Sequence, residues 1–227
     1  MKRHVVKLAR YLAFGLLVFI GVSVVQVLLL RFVNPPFTAF MLWDYLDSGP
    51  GFSLILDWEP ASNISPSMAQ AVLASEDQRF FEHWGFDFTE MQKAVAAAQS
   101  GKRLRGASTI TMQTAKNVFL WSGRSYVRKA LEAWYTLLLE LIVPKPRILE
   151  IYLNVAQFGP GIYGAPAAAK HYYNIPAARL DSYQAACLAA VLPNPERRSP
   201  LKKTAYMRKQ VRFITTQMRM IKLEGWE

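Results

Sequence analysis

Ala74-Ser-Glu-Asp-Gln-Arg-Phe-Phe-Glu-His-Trp-Gly-Phe-Asp87 is the stretch on which the reading of the fold turns. Just upstream, Ser65 followed by Pro66 has the form of an N-cap with proline at the first helical position. From there Met68, Val72, Ser75, Glu76, Phe80 and His83 recur at spacings of three and four, and Gly85 ends the run. That spacing predicts one helix up to Gly85, with Glu76, Arg79, Phe80 and His83 sharing a face with Met68 and Val72. A carboxylate on such an inward stripe is either paired or set in a partly dry cleft. Desolvation there raises its pKa, which suits general acid–base work near neutral pH. The plain alternative is a Glu76–Arg79 pair on the helix surface.

Outward from this stretch, helix follows helix. Helices are expected at 88–99, 108–119, 125–142 (the strongest), 146–154, 163–173, 178–191 and 204–222. On the last, Met207, Val211, Ile214, Met218 and Ile221 share one face, with Arg208, Arg212, Arg219 and Lys222 mainly on the other. Residues 32–60 read as irregular, with a short hairpin near 50–60, and no strand ladder is expected. The pattern predicts a mainly α protein.

The excess apolarity lies at the N-terminus. Tyr11 to Leu30 is a run of 20 residues without a charge, about 30 Å as a helix and long enough to span a bilayer. Lys2, Arg3, Lys7 and Arg10 precede it with no acid among them. Basic residues stay on the cytoplasmic side, so residues 1–10 read as a cytoplasmic tail, 11–30 as a retained anchor, 31–60 as a juxtamembrane segment and 61–227 as the outer domain. A cleaved signal peptide has a shorter apolar region and a small-residue cleavage site, and Arg31-Phe-Val-Asn-Pro-Pro36 is a poor one. The aromatic stretch Phe37 to Leu46 follows the anchor and either sits at headgroup level or packs into the domain.

Composition narrows the chemistry. Of 227 residues 52% are hydrophobic and 19% charged, which excludes a disordered chain. The net charge of +11 favours an anionic partner, but past residue 31 it falls to 22 basic against 16 acidic residues, so nucleic acid is not required. One cysteine and three histidines exclude an internal disulfide and make a multi-His or Cys-rich metal site improbable.

Three further segments carry candidate chemistry. In Arg105-Gly-Ala-Ser-Thr-Ile-Thr-Met-Gln-Thr-Ala-Lys-Asn117, hydroxyls at a helix start, Lys116 and the basic loop Lys102/Arg103/Arg105 could cradle a polyphosphate; an ordinary N-cap is the plainer reading. It is not a P-loop. In Arg128-Lys-Ala-Leu-Glu132 the arginine and glutamate are one turn apart, either a surface ion pair or a second carboxylate in a cationic setting. Two carboxylates among several cations would suit transfer at a sugar carbon bearing a diphosphate leaving group. Lys145-Pro-Arg-Ile-Leu-Glu-Ile-Tyr-Leu-Asn154 alone is a capped amphipathic helix.

Taken in order, these four segments and Arg197-Arg-Ser-Pro200 resemble the five successive signatures of the peptidoglycan glycosyltransferases, over about residues 60–202. His83-Trp-Gly-Phe-Asp87 and Leu192-Pro-Asn-Pro195 fit the monofunctional biosynthetic transglycosylases, and the chain leaves no room for a transpeptidase domain. The resemblance implies a lysozyme-like fold, with a larger lobe and a smaller membrane-proximal lobe. It implies polymerisation of lipid II at the bacterial inner membrane, with the catalytic domain outside the cytoplasm. Glu76 would be the general base on the acceptor 4-hydroxyl, and undecaprenyl diphosphate would leave. Glu132 would be the second carboxylate, near the diphosphate and a divalent cation, Mg2+ by family expectation. Ser108, Thr109, Gln113, Lys116, Asn117, Arg128 and Lys129 match substrate-contacting positions, and Arg79, His83 and Arg105 complete the candidate set. Partners expected are lipid II, the growing glycan, the membrane, and cell-wall synthesis or division proteins. Ala107 and Met112 depart from the family's Gly-Gly-Ser-Thr and Gln-Gln patterns. The competing reading is a lytic transglycosylase or muramidase that cleaves the same polymer; a third is a membrane-anchored scaffold.

Overall fold

The computed structural model describes residues 2–49, 51–100, 108–123 and 125–226. Helix α1 (Lys2–Phe32) contains the charge-free run and the basic residues before it. It is long and apolar enough to cross a membrane. Its C-terminal part is docked on the rest of the molecule. Val27 and Leu30 are buried, Trp134 Nε1 donates to Ser23 Oγ (3.0 Å), and Tyr135 Oη donates to Gln26 Oε1 (2.9 Å). Arg31 reaches the Ile142 carbonyl, and Arg147 reaches the Leu30 carbonyl and Asn34.

Part of the segment expected to be irregular is helical. α2 (Ala39–Ser48) starts at Thr38, whose Oγ1 accepts from Met41 N, and it ends at Gly49. It buries Met41 while Leu42, Trp43, Tyr45 and Leu46 stay exposed, so it packs by one side and leaves an aromatic side uncovered. Among the described residues the expected hairpin near 50–60 is absent. Instead β1 (Ile55–Leu56) pairs in parallel with β3 (Ile162–Tyr163), which pairs antiparallel with β2 (Gln157–Gly159). These strands are too short to leave an alternating pattern, and β1 finds its partner more than a hundred residues away, so no local signal announced the sheet.

The helical domain follows. α3 (Pro66–Glu76) begins at the Ser65 cap as expected but stops at Glu76, seven residues short of His83. The cause is Asp77. It takes an extended φ of −159°, and its Oδ2 accepts from Ile110 N (3.0 Å) at the start of a later helix. The extended backbone at Asp77 ends the helical hydrogen-bond ladder, and the contact to Ile110 N holds the residue in that position. Residues 78–85 therefore form turns, and the stripe predicted through Arg79, Phe80 and His83 does not exist as a helical face. Phe80 still reaches the core by another route.

α4 (Phe88–Gln99) buries only Ala94 and exposes Phe88 and Val95. α5 (Ile110–Phe119), α6 (Tyr126–Ile142) and α7 (Lys145–Val155) pack together, and α2 rests on α5. α8 (Ala165–Tyr173) follows the sheet. α9 (Ser182–Ala189) and α10 (Ala205–Met218) pack on α3 and on each other. Small side chains let these helices approach closely, and Ala69, Ala71, Ala74, Ala185, Ala186 and Ala189 are all buried. Gly85 is required where it stands. Its φ is +75°, and a Cβ there would lie 2.7 Å from Thr136 Cγ2.

Candidate active site

Glu76 is the last residue of α3, half-buried where α3 meets α5. Gln113 Nε2 donates to its Oε2 at 3.0 Å and Ser75 Oγ donates to its Oε1 at 2.9 Å. Gln113 is itself oriented, because Tyr152 Oη donates to Gln113 Oε1 at 3.0 Å. A chain of donors thus runs from α7 through α5 to the carboxylate. Burial raises the Glu76 pKa above 4.5. The hydrogen bonds from Gln113 and Ser75 oppose the rise, Asp77 adds to it, and the Arg198 charge opposes it. Tyr152 is pushed well up by burial first, then by the charges of Glu76 and Asp77, so it remains a donor.

Lys116 lies one turn beyond Gln113 on α5, with Nζ 4.9 Å from the centre of the Phe40 ring. Burial lowers its pKa; Glu132 acts the other way, while Arg128 and Lys129 lower it further. Glu132 is buried on α6 and its two oxygens are separately held, Oε2 by Arg128 (2.7 Å) and Oε1 by Lys129 (2.5 Å). The surface-pair reading of Arg128 and Glu132 therefore fails. The pair is largely desolvated, and the Arg128 Nε–H has no partner among the described residues. Three cations, Lys116, Arg128 and Lys129, converge about one carboxylate.

A cleft of about 200 Å³ opens beside this row, lined by Phe40, Gln113, Lys116, Asn117, Tyr152 and Gln157 with Leu192, Pro193 and Pro195 opposite. It joins α2, α5 and α7 to the turn after α9. The structure thus brings Glu76, Gln113, Lys116, Asn117, Arg128, Lys129 and Glu132 into one neighbourhood.

The other candidates are placed differently. Arg79 pairs with Glu82 (2.8 Å) and Asp87 (3.3 Å), not with Glu76, and it does not line the cleft. His83 is buried, with Nε2 2.9 Å from Asp77 Oδ1, and it too is off the cleft. Thr109 is the N-cap of α5: its Oγ1 accepts from Met112 N and donates to the Gly85 carbonyl. Ser108 is exposed just ahead of it. Arg105, with Lys102, Arg103 and Ala107, lies outside the described residues. Met112 is buried, so an amide there would face the core.

Reasoning from sequence passed over Ser75, Tyr152, Phe40 and Arg198 as site residues. Ser75, Tyr152 and Arg198 each stand inside a quoted signature, Ala74 to Asp87, Lys145 to Asn154 and Arg197 to Pro200, without being picked out of it, and Phe40 lies in the aromatic stretch Phe37 to Leu46. The guanidinium of Arg198 stacks 4.0 Å over the Tyr206 ring.

Side chains alone form no site for a divalent cation among the described residues. Among the described residues no group of three or more His, Cys, Asp or Glu converges, and both oxygens of Glu132 are committed to cations.

Comparison with known proteins identifies the family. The transglycosylase family profile matches residues 54–219. A biosynthetic peptidoglycan transglycosylase of Pseudomonas putida (strain F1) is 49% identical over 214 residues, covering 93% of this chain and 91% of that protein. Proteins of the same name are 48% identical in Stutzerimonas stutzeri, over 91% of this chain and 86% of the relative, and 49% identical in Xanthomonas campestris pv. campestris (strain B100), over 92% and 87%. The matched segment contains the carboxylate, its donor chain and the cation row, and on that evidence the chain belongs to the transglycosylase family.

Proposed function

We propose that this transglycosylase polymerises lipid II into glycan strands, with Glu76 as general base. The observation that carries the reading is a half-buried carboxylate, oriented by Gln113 and Ser75, with Lys116 in its field and Lys116 in turn in the field of Arg128, Lys129 and Glu132. Glu76 takes the proton of the acceptor sugar 4-hydroxyl. That oxygen attacks the anomeric carbon of the growing chain, the bond to the diphosphate breaks, and undecaprenyl diphosphate leaves with its electron pair. Lys116 and the cations held by Glu132 stabilise the charge that builds on the leaving group. Glu132 acts as a positioning residue, because a buried carboxylate with two short ion pairs fixes Arg128 and Lys129. The part of Mg2+ is not built into this account, since among the described residues the side chains alone form no site for it. A cleaving enzyme would have no use for the cation row.

The reading extends to placement. The basic residues before the apolar run favour a cytoplasmic N-terminus and a catalytic domain on the outer face of the inner membrane. Because α6 docks on the outer part of α1, the cleft is held close to the bilayer that carries the lipid substrate.

Glu76→Gln tests the chemistry. Polymerisation of lipid II by the purified full chain is expected to fall at least about a hundredfold, the lower range for loss of a general base. The variant should not unfold. A raised carboxylate pKa contributes stability that is present below the ordinary value and is lost as pH rises through the raised one. The glutamine form should therefore melt higher than the parent at pH 8 and equally at pH 4. Full activity in the variant would end the general-base assignment.

A further inference from the structure

We infer that the groove between α9 and α10 is a docking site for an acidic, amphipathic segment of a partner protein. At about 380 Å³ this cavity is larger than the cleft beside Glu76 and separate from it. Its floor includes the buried Cys187, Met207 and Val211, and its rim includes the exposed Lys202, Lys203, Arg208 and Arg212.

The charge here is strongly unbalanced. Between Arg197 and Lys222 there are nine Lys and Arg and no acid, whereas the remainder past residue 31 has 13 basic and 16 acidic residues. Among the described residues, none of the nine enters an ion pair. Like charges around one groove repel in the free protein and are relieved when an anionic surface docks, which favours acidic partners and speeds their encounter.

The shape and the floor decide among anions. Inorganic phosphate would satisfy the rim and leave Met207 and Val211 without a use. A bilayer surface is nearly flat on this scale and could touch the exposed lysines, but it could not enter a concavity whose floor is buried. A polypeptide can do both. Arg208 and Arg212 are one helical turn apart on α10, with Thr216 next in the row. A docked helix with acids one turn apart and apolar side chains between them would match rim and floor together. The groove takes no part in the glycosyl transfer proposed above, so the two ideas stand or fall separately.

The test uses the full chain. In living cells, a photo-crosslinking amino acid at position 216 should attach to an acidic segment of another protein, located by mass spectrometry of the joined peptides. With the purified protein in uncharged lipid nanodiscs, a fluorescein-labelled helical peptide with glutamates at i, i+4 and i+8 and leucines between should bind by anisotropy. The same peptide with lysines for glutamates should not. Arg208→Glu/Arg212→Glu should weaken the acidic peptide at least tenfold and leave lipid II polymerisation within twofold of the parent. Lys202→Ala/Lys203→Ala, a milder change, should weaken it about threefold. Equal binding by parent and both variants would overturn the proposal. So would crosslinks confined to phospholipid or to a second copy of this chain, or no crosslink at all.

Discussion

At the scale of single residues, the site is a problem of holding one carboxylate ready. Burial raises the Glu76 pKa, and Gln113 is the largest opposing influence. A base works only when deprotonated, so activity should rise with pH through the raised value. Gln113→Ala removes a donor to the charged form and lets the pKa climb further. The acid limb of kcat/KM is expected to move to higher pH, measured as a pH–rate profile of the full chain on lipid II. A profile that merely drops in height would reduce Gln113 to a packing residue. Much of this cluster was legible. Glu76, Gln113, Lys116, Asn117, Arg128, Lys129 and Glu132 were all singled out from sequence; Gln113, Lys116 and Asn117 line the cleft, Glu76 is bonded to Gln113, and Glu132 holds Arg128 and Lys129. Tyr152 was not, because a tyrosine on an amphipathic helix looks like any core residue until the hydrogen bond across 39 positions to Gln113 is seen. Arg79 and His83 were drawn in by a helical stripe that the chain abandons.

At the scale of elements, that abandonment is the instructive difference. Helix starts were readable because caps are local: Ser65 caps α3 and Thr204 caps α10 within three residues of sequence. The end of α3 is set by a contact 33 residues away, from Ile110 N to Asp77, and periodicity carries no trace of it. Asp77 also holds His83, so one carboxylate joins the end of α3, the turn after it and the start of α5. Asp77→Asn halves that capacity. A hydrogen bond to a charged group is worth about 1.5–3 kcal/mol, and a loss of that size is expected in chemical denaturation. The amide of Ile110 should at the same time lose hydrogen-exchange protection. Unchanged protection at Ile110 would mean that Asp77 does not anchor α5. The sheet escaped notice for a related reason, since β1 and β3 are two residues each and joined only through tertiary structure.

At the scale of the whole molecule, the seam between α1 and α6 matters most. Ser23 and Gln26 are polar residues within the charge-free run of α1, and each accepts a hydrogen bond from an aromatic side chain of α6. Polar atoms in a membrane helix find partners in protein because lipid offers none. Ser23→Ala/Gln26→Ala should unfasten this seam. Polymerisation in nanodiscs is expected to fall several-fold and in detergent micelles much less, because a micelle demands no particular height of the cleft. An equal loss in both would show that the seam serves stability alone.

A helix joined to its domain by a firm seam has no swivel. Under the proposed chemistry, the compass bearing along which a fresh strand is laid would follow the rotation of α1 about its own axis within the lipid sheet. Whatever brakes that spin would also steer the thread.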